Sequence, residues 1–157
     1  MSGSARGVIR DIVHLNLNVT DIRRSLEFYE KLGFSVLHIF GDGPQGSGEN
    51  VEDGMSFGGG RCKGAVITLG DHPRCWTKIE LIEWVDPPPE PRARSATRTL
   101  GVSRIALRCK NLRPLVSRLE EEGIEFETRI QETDVVGAKG FALFRDPDGV
   151  LLELIEL

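Results

Sequence analysis

One imidazole, two carboxylates and one guanidinium stand at matching points of four short segments. Ile12-Val-His14-Leu-Asn-Leu-Asn18 and Val102-Ser-Arg104-Ile-Ala-Leu-Arg108 each open a run of alternating residues, and Lys78-Ile-Glu80-Leu-Ile-Glu-Trp84 and Leu151-Leu-Glu153-Leu-Ile-Glu-Leu157 each close one. If these segments belong to two copies of one module, pseudo-symmetry brings His14, Glu80, Arg104 and Glu153 together. An imidazole and two carboxylates on rigid strands form a ligand set for a borderline divalent ion such as Zn²⁺, Mn²⁺, Fe²⁺, Co²⁺ or Ni²⁺. Two carboxylates held close together need a positive charge between them. Either a metal ion or the Arg104 guanidinium can supply it.

The elements that must position these groups repeat as well. After His14 the alternation of a strand gives way to Ile22, Leu26, Tyr29 and Leu32 at helical spacing, with a stop at Gly33. After Arg104 the same change leads to Leu112, Leu115, Val116 and Leu119 and a stop at Gly123. Gly33 follows His14 by 19 residues, and Gly123 follows Arg104 by 19. Strands are expected over 35–40 and 65–69 in the first half, and over 125–130 and 140–144 in the second. Asp146-Pro-Asp-Gly149 is a turn before the last strand. Each half therefore reads β-α-β-β-β.

Composition marks the joints. Eight glycines fall between Gly41 and Gly60, which reads as a long loop and matches no phosphate-binding pattern. This loop accounts for the longer interval between His14 and Glu80 than between Arg104 and Glu153, and it is a candidate lid. Residues 86–99 carry Pro87, Pro88, Pro89 and Pro91 and read as a linker. The modules are then 8–85 and 100–157.

Strand period sorts the side chains into two faces. Val13, Leu15, Leu17, Ile79 and Leu81 fall under the first helix, which leaves His14, Asn16, Asn18, Glu80 and Trp84 on the other face. In the second half Ile105, Leu107, Leu152 and Leu154 face the helix, which leaves Arg104, Ala106, Arg108 and Glu153 opposite. Glu83 and Glu156, three residues beyond the site carboxylates, fall on the helix side. Asn16, Arg104, Arg108 and Trp84 are candidate substrate contacts. Trp76, Phe57 and Phe144 could complete an apolar wall, although aromatic residues are more often core. His38 and His72 read as structural or exposed.

The chain is 157 residues long with a net charge of -4 and 39% apolar residues, enough for one globular unit of two small modules. No block of basic residues offers a footprint for nucleic acid or an anionic membrane. No apolar run approaches the ~18 residues of a membrane span, and Met1 to Gly7 lacks a signal-peptide core. A cytoplasmic protein with small-molecule partners is expected. Cys62, Cys75 and Cys109 form no C-x-x-C pair and read as reduced structural thiols.

These motifs resemble the vicinal oxygen chelate superfamily, which includes glyoxalase I, extradiol dioxygenases, methylmalonyl-CoA epimerase, fosfomycin-modifying enzymes and bleomycin-binding proteins. The resemblance spans nearly the whole chain through His14, Ser25-Leu-Glu-Phe-Tyr29, Lys31-Leu-Gly-Phe34, Glu80, Ile105-Ala-Leu107, Asp146-Pro-Asp-Gly149 and Glu153. It implies an α+β fold of two tandem βαβββ modules forming one curled mixed sheet around a cleft, with helices outside. It also implies a homodimer, and a divalent metal on His14, Glu80 and Glu153. A lyase or isomerase of this kind would use Glu153 or Glu80 as base on a substrate with vicinal oxygens.

Arg104 departs from the pattern, because glyoxalase-like members have a histidine there and a guanidinium cannot ligate a metal. It can swing aside, hold an anionic group of the substrate beside the metal, or replace the metal by pairing with Glu80 and Glu153. The last case leaves a metal-free binding protein of the bleomycin-resistance type. A ring-cleaving dioxygenase is less favoured, since the second histidine is missing.

Overall fold

The computed structural model describes residues 12–41, 49–51, 60–70, 77–90, 98 and 100–157. The chain divides into two compact units, Met1–Pro89 and Glu90–Leu157. The expected α+β fold is present, with one sheet in each unit; the second unit is βαβββ, and the first adds one short strand to that order. No helix among the described residues is long and apolar enough to cross a membrane.

In the first unit β1 (His14–Asn18) leads into α1 (Ile22–Lys31), followed by β2 (Phe34–Phe40), β3 (Glu49–Val51), β4 (Gly60–Leu69) and β5 (Lys78–Asp86). Asp21 caps α1 by accepting the N–H groups of Arg23 and Arg24 at 2.9 and 3.1 Å. The helix ends at Gly33, whose φ of +91° suits the left-handed exit of a helix. Ile22, Ser25 and Tyr29 form its buried stripe, packed with Phe34, Ala65, Ile67, Ile79 and Leu81. Leu26, expected in that stripe, is only half-buried because Ser25 takes the inner position.

The sheet order is β1-β5-β4-β2, with β1 and β5 parallel and the other pairs antiparallel. The glycine-rich stretch is not wholly loop, since it contains β3. That short strand pairs with β4 through Glu49↔Cys62 and Val51↔Gly60, beyond the point where β2 leaves off at Phe40↔Gly64. An exposed run of N–H and C=O groups on the ten-residue β4 is thereby satisfied.

In the second unit β6 (Ile105–Cys109) and α2 (Leu112–Glu121) are followed by β7 (Gln131–Glu132), a 3₁₀ turn at Val135–Gly137, β8 (Gly140–Arg145) and β9 (Leu151–Glu156). The order is β6-β9-β8-β7, again with the first and last strands parallel. Leu112, Val116, Leu119, Ile124, Ala142, Phe144, Leu152 and Leu154 make the core. The strand expected over 125–130 is reduced to one bridge, Phe126↔Phe144. Around it the Leu143 carbonyl accepts the N–H groups of Glu127 and Thr128, while the Thr128 hydroxyl accepts the Leu143 N–H. A side chain thus takes the place of a ladder bond and breaks the register. Asp146 anchors the last turn by accepting the N–H groups of Asp148 and Val150.

One device occurs twice. Glu83 accepts the N–H of Ile22 at 2.9 Å and Lys63 lies 2.8 Å from it, while Glu156 accepts the N–H of Leu112 at 3.0 Å with Lys139 3.6 Å away. In both units a carboxylate of the last strand therefore closes the positive end of the helix. It does more at α2, where Asn111 is left-handed (φ 55°) and gives no side-chain cap.

Two outcomes are expected. The Ser25 hydroxyl is fully buried and has no hydrogen-bond partner among the described residues, so Ser25→Ala should raise stability by about 1 kcal/mol in urea unfolding. Glu156 is held below the ordinary value of 4.5, chiefly by the Leu112 N–H; burial opposes this and Lys139 adds to it. A carboxyl whose folded pKa is lowered stabilises the fold above its unfolded pKa and loses that contribution as pH falls through the folded one. Acidification through that range should therefore cost the wild type more stability than Glu156→Gln.

Candidate functional site

On the first unit, the sheet face away from α1 is set by register. Asn16 lies beside Glu80 and Asn18 beside Ile82, while Glu80 faces Val66, Ile82 faces Gly64 and Trp84 faces Cys62. His14 Nε2 lies 3.8 Å from Glu80 Oε2, with the imidazole 51% exposed and the carboxylate 15% exposed. Two donors of one ion at ~2.1 Å each lie at most about 4.2 Å apart, so this pair fits two ligand positions of a divalent ion. Asn18 Oδ1 accepts the indole N–H of Trp84 at 3.0 Å, which fixes the ring's orientation on the same face.

Register also brings to this face residues that sequence reasoning assigned elsewhere or missed. A bulge between Val36 and His38 absorbs Leu37, so that His38 stands opposite Val66, in the row of Glu80, and Phe40 stands opposite Gly64. The rings of His38 and Phe40 stack with centroids 6.5 Å apart. Phe40 lies so close over Gly64 that a Cβ there would come within 1.9 Å of the ring. Gly64 is thus required by the aromatic ring rather than by its own backbone. The signal available beforehand was the Phe40–Gly41 strand end; the bulge that sets its parity was not readable.

On the second unit, the face away from α2 carries Arg104, Ala106 and Arg108 from β6 and its entry, Glu153 and Ile155 from β9, and Phe141 and Leu143 from β8. Arg104 donates from Nε to Glu153, whose side chain is 5% exposed against 45% for the arginine. A nearly buried carboxylate is thereby compensated by a guanidinium. Phe141 occupies the place in its sheet that Gly64 has in the first, so each face presents an aromatic ring one row from its carboxylate.

Other candidates lie elsewhere. Phe144 is fully buried against Phe126 and belongs to the core rather than to a cleft wall, because its strand parity aligns it with Leu152 on the helix side. Phe57, His72, Cys75 and Trp76 lie outside the described residues. Cys62 is buried and Cys109 half-buried. Burial, and then the Glu156 charge, push the Cys109 thiol up, which suits an unreactive structural cysteine. Among the described residues no group of three His, Cys, Asp or Glu side chains is arranged to hold a metal ion.

Residues 11–154 match the family profile described as the Glyoxalase/Bleomycin resistance protein/Dioxygenase superfamily. The uncharacterized protein YwkD of Bacillus subtilis (strain 168) is 29% identical over 150 residues, covering 95% of this chain and 98% of that protein. Among solved structures, a glyoxalase family protein from Bacillus cereus superposes with a TM-score of 0.73 at 20% identity, covering 98% of each chain. A glyoxalase/dioxygenase from Nostoc punctiforme gives 0.68 at 22% identity over 99% of this chain and 97% of that one.

The Arg104–Glu153 pair is open to a double-mutant cycle. Arg104→Ala strands a nearly buried carboxylate and should cost about 1–3 kcal/mol, between the limits for exposed and fully buried pairs. Adding Glu153→Gln should recover most of that loss in urea unfolding, which identifies the unpaired charge as its cause.

Proposed function

The chain belongs to the Glyoxalase/Bleomycin resistance protein/Dioxygenase superfamily, and on that premise we propose that it is a glyoxalase-like, metal-dependent enzyme. Its reaction is a lyase or isomerase step on a small substrate with two adjacent oxygen atoms. The observation that carries this reading is the His14–Glu80 pair, a borderline nitrogen donor and a hard oxygen donor 3.8 Å apart on neighbouring parallel strands. The proposed ligand set is His14 and Glu80 with Glu153 as the third, for one ion of Zn²⁺, Mn²⁺, Fe²⁺, Co²⁺ or Ni²⁺. When bound, such an ion supplies Lewis-acid polarisation of the substrate oxygens.

The remaining work falls to the chain's own residues. Glu80, only 15% exposed, is placed to take a proton from substrate and return it, and Glu153 is the other candidate for that role. Asn16, in register with Glu80, and Trp84, oriented by Asn18, position the substrate. Arg104 compensates the charge of Glu153 until substrate or ion arrives. A homodimer is part of this reading, by resemblance to small members of the superfamily.

A second reading is favoured by one specific observation. Arg104 already provides the positive charge that Glu153 needs, as it would in a metal-free small-molecule-binding protein of the bleomycin-resistance type. Elemental mass spectrometry separates the two, on protein prepared without chelator or nickel affinity resin. Near-stoichiometric metal that is lost in His14→Ala and in Glu80→Ala is the expected result. Absence of metal after incubation with each of the five ions would overturn the enzyme reading in favour of the binding protein.

A further inference from the structure

The sheet face of the second unit carries an electrostatic excess that the proposed chemistry does not use. Its strands contribute Arg104, Arg108 and Arg145 against the single Glu153, in a chain whose net charge is -4. Arg145 is occupied, since it donates to Glu127 and to the Gly149 carbonyl. Arg104 engages Glu153 through Nε alone, which leaves the two terminal nitrogens of its fork with no partner among the described residues. Arg108 is exposed and has no acidic partner among the described residues. On the matching face of the first unit, among the described residues of β5, Lys78 stands against Glu80.

We infer that Arg104 and Arg108 form an anion subsite on this face that takes the carboxylate of a small organic acid. The two arginines are four residues apart, about 13 Å along the strand. Between them Ala106 offers only an exposed methyl, so both side chains have room to fold inward over it. A planar guanidinium with a free edge matches the two oxygens of a carboxylate. The subsite is testable without metal.

The experiment is a ligand-observed NMR titration of the full chain, stripped of metal by chelator, with glycolate and with its neutral isostere glycolamide. Glycolate is expected to bind saturably and at least tenfold more tightly than glycolamide. Arg104→Gln and Arg108→Gln should each weaken glycolate about tenfold or more. Arg108 has no partner to lose, so its variant keeps the test valid if Arg104→Gln fails to fold. Equal binding of the two ligands, or glycolate binding unchanged in Arg108→Gln, would overturn the inference. So would inorganic phosphate binding more tightly than glycolate with the same arginine dependence, which would reassign the subsite. Metal content is measured separately on the same protein before stripping. Metal without glycolate preference sinks only this inference; arginine-dependent glycolate binding without metal supports it while removing the metal reading.

Discussion

The parallel pairing of the first and last strands in each module is the constraint from which the rest follows. A parallel neighbour can be reached only by a crossover, and here the helix and the intervening strands supply it. That pairing sets Asn16 beside Glu80 and Ala106 beside Glu153. A slip of one residue would send every site residue to the helix side. The last strand guards against that slip with its second glutamate. Glu83 and Glu156 reach the first N–H of the helix only if the strand is in register and the helix is docked. Glu80 and Glu153 on one face and the two capping glutamates on the other therefore have opposite duties three residues apart.

The two modules keep this frame while their open faces diverge. In the first, an exposed imidazole stands against a partly covered carboxylate. In the second, the same positions hold a guanidinium and a carboxylate almost sealed from water, already joined. The buried carboxylate is thus the one that carries its own countercharge. The aromatic rows show divergence of another kind. Phe141 supplies its ring directly, whereas in the first module the strand position is Gly64 and the neighbouring strand lends Phe40. The same place on the sheet is filled by different residues because packing constrains volume rather than identity.

Much of the fold was legible because it is written in short-range periodicities. The equal intervals from His14 to Gly33 and from Arg104 to Gly123, the change of period from two to 3.6, and the repeated Ile-Glu segments established two βαβββ modules and the sides on which His14, Glu80, Arg104 and Glu153 lie. The departures share a cause, which is that each depends on a partner distant in the chain. β3 exists because β4 outruns β2. The 125–130 segment is held to a single bridge because the Thr128 hydroxyl takes a ladder bond. A single bulge at Leu37 turns His38 and Phe40 to the site face, and no local pattern announces a bulge.

The sequence by itself determined which groups are present and, on strands without a bulge, on which face they stand, since side-chain alternation is a property of the backbone. Tertiary structure decided what those groups do to one another. That Arg104 pairs with Glu153, that Glu83 and Glu156 serve the helices, and that Phe40 covers Gly64 are outcomes of distance and burial. Electrostatic compensation and close packing act through space, and only the folded chain fixes those separations.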